Sequence, residues 1–300
     1  MRGVVVALGN FDGVHLGHRQ VIRRAVEEAC GRGSGCVAAT FEPHPQAVLR
    51  SGSEPKLLTT LDIKRELLLG LGVDEVRAIP FDEELSRKSP QDFVREVLVG
   101  ELHAAVAVVG ENFRFGYKAS GDVKVLGRCM RETGGEAYAV PIYPLDEIVG
   151  ESISSTKIRA LLQEGDAREA ARLLGRPYFM RGEVVVGDKR GRALGFPTAN
   201  VLPDACALVP GRGVYAGYVR VGNERYGACT NVGVAPTFDR HERRVEAYLL
   251  DYEGDLYGKV VDVAFVERLR PEKRFSGLDE LKAQIARDVV EAQKVINQGV

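Results

Sequence analysis

The sequence has few cysteines, and their placement argues against covalent or metal cross-links. The five cysteines form an odd, scattered set without a Cys-x-x-Cys pair. They are Cys30, Cys36, Cys129, Cys206 and Cys229. Such a set predicts neither a disulfide framework nor a zinc site. It fits a protein of the reducing cytoplasm.

Long apolar runs are also missing. The run Val4–Leu8 is shorter than the roughly 7–15 residues of a signal-peptide core. The longest other run, Ala104–Val109, falls far short of the ~20 residues that span a bilayer. We therefore expect neither an export signal nor a membrane segment.

The chain carries no excess of either charge. It has 41 Lys and Arg residues against 42 Asp and Glu residues, which gives a formal net charge of -1. Binding to nucleic-acid phosphates requires a basic surface, so small-molecule partners are favoured over nucleic acid. With 300 residues, of which 45% are hydrophobic, the chain is long enough for about two domains.

The first half of the chain has the pattern of a parallel α/β sheet. Up to about residue 145, short apolar runs alternate with amphipathic stretches, which is typical of β-α-β units. The predicted strands are Val4–Leu8, Cys36–Phe41, Glu75–Pro80, Ala104–Val109 and Glu136–Ile142. The predicted helices between them are His18–Ala29, Asp62–Leu71, Pro90–Gly100 and Asp122–Thr133. Continuous apolar strands indicate that helices cover both faces of the sheet.

The second half has the pattern of a small antiparallel barrel. Two helical segments, Thr156–Glu164 and Asp166–Leu174, precede a change of pattern at Gly175-Arg176-Pro177. Beyond it, β-rich segments alternate with Gly, Asn and Asp turns at barrel-like spacing. They are Phe179–Val186, Gly213–Val221, Arg225–Val232, Val245–Leu250 and Val260–Val266. One helix, Leu278–Asn297, is predicted to close the chain.

A glycine-rich turn with two histidines follows the first strand. Gly9–His18 leads into a helix, where free backbone N–H groups and the helix dipole favour an anion. His15 and His18 lie three residues apart, so both can reach one phosphate. Imidazole donors stabilise the charge that grows on an attacked α-phosphate, so the motif predicts nucleotidyl transfer. The alternative is a plain tight turn with two surface histidines.

Two further segments are predicted to complete this site. In Ile153–Arg159, Ser154 or Ser155 is a predicted N-cap, which leaves amides free for a second phosphate and places Arg159 about one turn into a helix. We interpret this segment as a triphosphate clamp, although serine before a helix is often only a cap. The loop after the fourth strand offers Asn112 and an aromatic pair, either for a flat heterocycle or for packing within its own domain.

The β-rich half carries a second group of polar residues. In an extended segment, Thr198 and Asn200 point to the same face, and neutral oxygens shared with substrate phosphates suit Mg²⁺. Glu246 lies in the most apolar strand, where a position inside the barrel would disfavour its charged form and allow it to act as a general base. Strand alternation equally permits a solvent-facing Glu246, and the Thr198 segment equally permits an ordinary polar turn.

In order and in both halves, the sequence resembles the bacterial bifunctional riboflavin kinase/FMN adenylyltransferases, also called FAD synthetases. The matching segments are Gly9–His18, Thr40–Pro45, Val109–Gly116, Ile153–Arg159, Gly195–Asn200, Gly213–Ala216, Asn231–Phe238 and Val245–Lys259. The resemblance implies an N-terminal Rossmann-like nucleotidyltransferase domain, which makes FAD and pyrophosphate from FMN and ATP. It also implies a six-stranded barrel with a C-terminal helix, which phosphorylates riboflavin.

The resemblance further implies roles for individual residues. His15, His18 and Arg159 would be catalytic in adenylyl transfer, and Glu246 would be the base for the ribityl hydroxyl. The residues expected to bind nucleotide or flavin are Gly9, Asn10, Phe11, Gly17, Asn112, Ser155, Thr156, Gly195, Thr198 and Asn200. Of these, Thr198 and Asn200 would also hold Mg²⁺.

We therefore predict a bifunctional cytoplasmic enzyme that uses ATP and Mg²⁺ at two sites, with riboflavin, FMN and FAD as substrates and products. Residues 1–155 are assigned to the adenylyltransferase, 156–175 to connecting helices and 176–300 to the kinase. One alternative is a nucleotidyltransferase for another phosphorylated acceptor with an accessory barrel, which the Mg²⁺-type motif argues against. The other is a flavin-storage or flavin-sensing module without turnover, which Glu246 argues against.

Overall fold

A parallel sheet of five strands organises the first of the two units into which the chain divides, Met1–Ser155 and Thr156–Val300. The computed structural model describes residues 3–50, 52, 54–141, 153–187, 195–234 and 243–298. The strands of the first unit are β1 (Val4–Leu8), β2 (Cys36–Glu42), β3 (Glu75–Pro80), β4 (Ala104–Gly110) and β5 (Glu136–Val140). Their spatial order is β3-β2-β1-β4-β5. The chain therefore adds β2 and β3 on one side of β1 and then crosses to the other side to add β4 and β5. Open α/β sheets bind ligands at the point where the strand order reverses in this way.

Helices flank this sheet along its length. They are α1 (Leu16–Arg32), α2 (Pro45–Leu49), α3 (Leu61–Leu69), α4 (Glu83–Arg87), α5 (Pro90–Asp92) and α6 (Val123–Glu132), with a π-helix over Phe93–Glu101 and a 3₁₀ turn at Tyr117–Ala119. Among the described residues, none of the helices has the length and apolar character needed to cross a membrane.

Both faces of the parallel sheet are buried, as the continuous apolar strands predicted. On β1, Val5 and Ala7 point to one side and join a cluster that includes Val21 and Ile22 of α1. Val6 and Leu8 point to the other side and join a cluster built with the π-helix and α6. Strand alternation thus distributes one five-residue strand between two cores.

A closed six-stranded barrel forms the second unit. Its strands are β6 (Tyr178–Val185), β7 (Ala199–Pro203), β8 (Gly213–Val221), β9 (Glu224–Val234), β10 (Arg243–Leu249) and β11 (Val260–Arg270), in the closed order β10-β7-β6-β11-β8-β9. Tyr178, Tyr215 and Phe265 are its largest fully buried side chains. The helices are α7 (Ser155–Glu164), which begins at the last residue of the first unit, α8 (Ala167–Leu174) and α9 (Leu278–Asn297). Ala292 of α9 packs into a small cluster on β8 and β9.

The predicted fold class is confirmed, with differences in detail. The strand predicted to end at Ile142 ends at Val140, and Ile142 lies outside the described residues. The helix predicted over Pro90–Gly100 becomes a π-helix at Phe93, since its apolar spacing is compatible with either helix type. Helices α2 and α4, each of five residues, were not predicted, because little more than one turn of helix is too short to show a period.

Candidate active sites

The loop that follows β1 has a strained backbone. Residues Phe11 (φ 48°), Gly13 (φ 86°) and Val14 (φ 43°) all adopt positive φ angles. Glycine reaches this region without cost, but a β-branched valine there is an outlier, and such conformations cost about 1–3 kcal/mol. The surrounding structure must therefore hold the loop in place.

Asp12 supplies much of that hold. Its carboxylate is buried, 1% exposed, and accepts hydrogen bonds from Leu58 N (3.2 Å), Thr59 N (3.0 Å) and Thr59 Oγ1 (3.3 Å). Thr59 Oγ1 in turn accepts from Gly13 N at 3.0 Å. Hydrogen bonds to a buried ionised carboxylate are among the strong ones. Asp12 thus ties the loop to the segment that enters α3.

The two histidines of the motif lie against each other at the start of α1. His15 is the N-cap, and its Nδ1 accepts from His18 N at 3.3 Å. The two rings stack with centroids 3.5 Å apart and an interplanar angle of 17°, and the Phe11 ring meets His18 edge-on at 5.4 Å. His15 is buried and His18 is half-buried. The alternative of two surface histidines in a plain turn does not describe this arrangement.

The surroundings of His18 disfavour its charged form. Burial lowers its pKa well below the ordinary value, and the neighbouring His15 ring and the positive charge of Lys64 lower it further. Its Nδ1 is buried and has no hydrogen-bond partner among the described residues. A neutral imidazole carries one N–H donor and one acceptor, so His18 can offer a directed hydrogen bond to a phosphate oxygen.

The start of α7 contacts the same loop. Ser155 Oγ donates to the carbonyl oxygen of Asp12 at 2.8 Å, so the structure brings Ser155 to the loop that carries His15. Thr156 is exposed and Arg159 is half-buried further along α7. Their assignment to nucleotide binding and catalysis stays a prediction.

The loop after β4 uses its aromatic rings for packing. Phe113 and Phe115 stack with centroids 5.6 Å apart, and Phe115 also lies 5.6 Å from Phe93. Phe115 is a member of the core cluster and Phe113 packs against it. The packing alternative therefore describes this pair, whereas Asn112 is exposed and is accessible to a ligand.

In the second unit, the polar residues of the motif meet on the outside of the barrel. Glu246 pairs with Asn200 of β7 on one side and with Asn231 of β9 on the other. The residues before and after Glu246, Val245 and Ala247, are fully buried. Alternation therefore places Glu246 on the outer face. Of the two positions that the sequence permitted for Glu246, the one inside the barrel is wrong.

Arg244 joins two of these residues. Its Nε lies 2.9 Å from Glu246 Oε1 and donates to Asn200 Oδ1, also at 2.9 Å. The side chains of Arg244 and Glu246 are 25% and 28% exposed. Thr198 is half-buried just before β7, so the structure places it in the same segment as Asn200.

Sequence reasoning missed Arg244 and Gly187 as members of this group. Arg244 stands two residues before Glu246, so strand alternation already placed it on the same face. Gly187 follows β6, and a Cβ atom built on it would collide with the side-chain amide of Asn200. That close approach depends on the pairing of β6 with β7 and has no signal in the local sequence.

The donor chemistry of this group fits a magnesium ion shared with a nucleotide. No cluster of three or more His, Cys, Asp or Glu side chains that could hold a metal occurs in the part of the chain that the structure describes. Asn200 and Thr198 instead offer neutral oxygens, and Mg²⁺ is commonly held by a few protein oxygens together with substrate phosphates. Asn200 Oδ1 already acts as an acceptor, toward Arg244.

Comparison with known proteins identifies a two-part transferase. The family model described as FAD synthetase matches residues 1–157, and the family model described as riboflavin kinase matches residues 174–296. The chain belongs to the bifunctional riboflavin kinase/FMN adenylyltransferase family.

Individual relatives cover nearly the whole chain. The bifunctional riboflavin kinase/FMN adenylyltransferase of Bacillus subtilis (strain 168) is 39% identical over 294 residues, which are 96% of this chain and 91% of the relative. The enzyme of the same name from Escherichia coli (strain K12) is 38% identical over 293 residues, 97% of this chain and 92% of the relative. A crystal structure named as a macrolide-efflux protein from Streptococcus pneumoniae has a TM-score of 0.88 and 30% identity, and covers 98% of this chain and 95% of its own.

Proposed function

We propose that this chain makes FAD from riboflavin in two ATP-dependent steps. Residues 176–300 phosphorylate riboflavin and release FMN and ADP. Residues 1–155 transfer AMP from a second ATP to FMN and release FAD and pyrophosphate, and residues 156–175 connect the two parts. The observation that carries the proposal is the match of both family models in this order along one chain. We further propose that both reactions take place in the cytoplasm.

In adenylyl transfer, the FMN phosphate attacks the α-phosphate of ATP and pyrophosphate leaves. The strained loop 9–15 and the N-terminus of α1 offer backbone N–H groups to the phosphates. His15 and the neutral His18 donate hydrogen bonds to the oxygens on which negative charge grows, which lowers the barrier without a covalent intermediate. We assign Ser155, Thr156 and Arg159 to the outgoing pyrophosphate and Asn112 to the flavin.

In riboflavin phosphorylation, the ribityl hydroxyl attacks the γ-phosphate of ATP. Glu246 accepts the proton of that hydroxyl, for which its position on the outer face of the barrel leaves it accessible. Thr198 and Asn200 would hold Mg²⁺, which when bound neutralises charge on the transferred phosphate. Gly195, with φ 84°, starts the segment that presents both residues.

Three variants separate the activities. Glu246→Gln is expected to lose FMN formation by about 10²-fold or more, the scale of a lost general base, while FAD formation from supplied FMN persists. His18→Ala is expected to slow FAD formation by about 10²–10³-fold, the scale of one lost transition-state donor, with little change in ATP affinity. Arg159→Ala should slow FAD formation and, in contrast to His18→Ala, weaken ATP binding as well. Loss of riboflavin phosphorylation in His18→Ala, with adenylyl transfer spared, would reverse the assignment of the two parts.

A further inference from the structure

A buried lysine is connected by hydrogen bonds to the loop that carries the two histidines. Lys64 lies in the first turn of α3 and is 3% exposed, although lysine is almost never buried without a partner. Its Nζ donates to Thr40 Oγ1 at 3.2 Å. The Thr40 hydroxyl, itself fully buried, donates to the carbonyl oxygen of Asn10 at 2.9 Å. A continuous hydrogen-bond chain therefore runs from α3 to loop 9–15.

Charged groups surround this ammonium. Burial lowers the pKa of Lys64, while the charges of Asp12 and Glu42 raise it. The positive charge of Lys64 also acts on His18, where it disfavours the protonated ring. The charge of Lys64 is therefore close enough to interact with both Asp12, the anchor of the loop, and the imidazole of His18.

Packing alone does not account for a charge at this position. The neighbours of Lys64 on the buried face of α3 are apolar, Ile63 and Leu68. A methionine would fill the same space without the cost of removing an ammonium from water. The charge of Lys64 and its hydrogen bond are therefore better explained by an effect on the loop that they reach through Thr40.

We infer that Lys64 is a positioning residue for adenylyl transfer, which fixes loop 9–15 through the hydrogen bonds that link it to Thr40 and Thr40 to Asn10, and keeps a positive charge near His18. The inference rests on the adenylyltransferase activity proposed for residues 1–155. Because Lys64 is buried, it acts through the loop and His18 and makes no contact with a substrate. Its two contributions, the hydrogen bond and the charge, can be separated by substitution.

Three variants make that separation. Lys64→Arg retains the charge, Lys64→Gln retains a hydrogen-bond donor without the charge, and Lys64→Met removes both. Misplacing catalytic groups by about 1 Å costs on the order of 10²-fold in rate, so we expect kcat for FAD formation from FMN to fall about 10²-fold in Lys64→Met. KM for ATP should change little. Lys64→Gln should be intermediate and Lys64→Arg closest to the parent.

The charge has its own readout in the protein without substrates. A nearby cation disfavours the protonated imidazole, so its removal should raise the pKa of His18, measured by NMR titration of the ring nitrogens. The same upward shift should move the acidic limb of the pH profile of FAD formation to higher pH. Both effects are expected in Lys64→Gln and Lys64→Met and are absent in Lys64→Arg.

The chain supplies two controls. Arg65→Met changes the next residue of α3, which is exposed, and should leave FAD formation and the His18 titration unchanged. Riboflavin phosphorylation should be the same in every variant, because it takes place in the second unit. If Lys64→Met does not fold, Lys64→Gln and Lys64→Arg decide the question.

An unchanged kcat and an unchanged His18 titration in Lys64→Gln would overturn the inference. Failure of the parent protein to make FAD from FMN would instead defeat the proposed function. The two failures are distinguishable, since the titration of His18 requires no turnover.

Discussion

Replacing Gly187 by alanine tests the geometry of the kinase site through a residue that has no side chain. A Cβ atom at this position would collide with the Nδ2, Cγ and Oδ1 atoms of Asn200. Asn200 Oδ1 also accepts a hydrogen bond from Arg244 at 2.9 Å. We expect the side-chain amide of Asn200 to shift in order to make room, which would strain or break that hydrogen bond and move the proposed Mg²⁺ ligand out of place.

The expected cost in stability is small and the expected cost in activity is large. A hydrogen bond to a charged group contributes about 1.5–3 kcal/mol. Arg244 is 25% exposed, so water recovers part of this, and we expect a loss of about 1 kcal/mol in the free energy of unfolding. A displaced catalytic group costs on the order of 10²-fold in rate, so FMN formation should fall by about that factor.

The assay measures FMN formation from riboflavin across a range of Mg²⁺-ATP concentrations. Gly277→Ala is the matched control, because a Cβ atom at Gly277 meets no atom within 4 Å. FAD formation from supplied FMN should be unaffected by either substitution. If a folded Gly187→Ala protein phosphorylates riboflavin as fast as Gly277→Ala, Asn200 does not have the role proposed for it.

Three further predictions concern Arg244, Asp12 and His18. Arg244→Gln should lower the Mg²⁺ concentration that gives half-maximal kinase rate by about 1.4- to 5-fold, because removal of a partly exposed repelling charge is worth roughly 0.2–1 kcal/mol. A higher Mg²⁺ requirement would mean that Arg244 assists metal binding. Asp12→Asn should destabilise the first unit by about 1–3 kcal/mol in calorimetry, since the amide leaves a buried N–H of residue 58 or 59 unpaired, and an unchanged transition would contradict the anchoring role of Asp12. Because the pKa of His18 is lowered in the folded protein, this side chain takes up a proton near its ordinary pKa of 6.5 only in the unfolded chain. The free energy of unfolding of the first unit should therefore be highest above that pH and decrease below it, since protonation of His18 favours the unfolded chain. Urea midpoints at pH 7.5 and 5.5 test the sign, and the pH dependence should be weaker in His18→Asn.

Much of the fold follows from local patterns. The five predicted strands of the first unit correspond to β1–β5 because each is a short apolar run between amphipathic segments. The barrel was harder to predict, and β7 was recognised only as an extended segment. Ala199 and Val201 are buried and Leu202 is exposed, a pattern of too few residues to stand out from a loop.

The orientation and burial of individual site residues could not be predicted from the local sequence. Strand alternation allowed Glu246 either face of its strand, and only its pairing with Asn200 and Asn231 decides for the outer face. Lys64 is buried and contacts Thr40, which is distant in the sequence, and the local pattern of an amphipathic helix does not reveal such a contact. Sequence patterns therefore identified the residues that carry the motifs, and the residues that hold those motifs in place required the three-dimensional structure.

The central claim is that one chain carries out both steps. The most direct test is a time course in which the purified protein is incubated with riboflavin, ATP and Mg²⁺, and riboflavin, FMN and FAD are separated by chromatography. The account predicts that riboflavin is consumed, that FMN forms first, and that FAD follows with release of pyrophosphate. Riboflavin that remains unchanged, or FMN that accumulates without FAD when ATP is in excess, would contradict it.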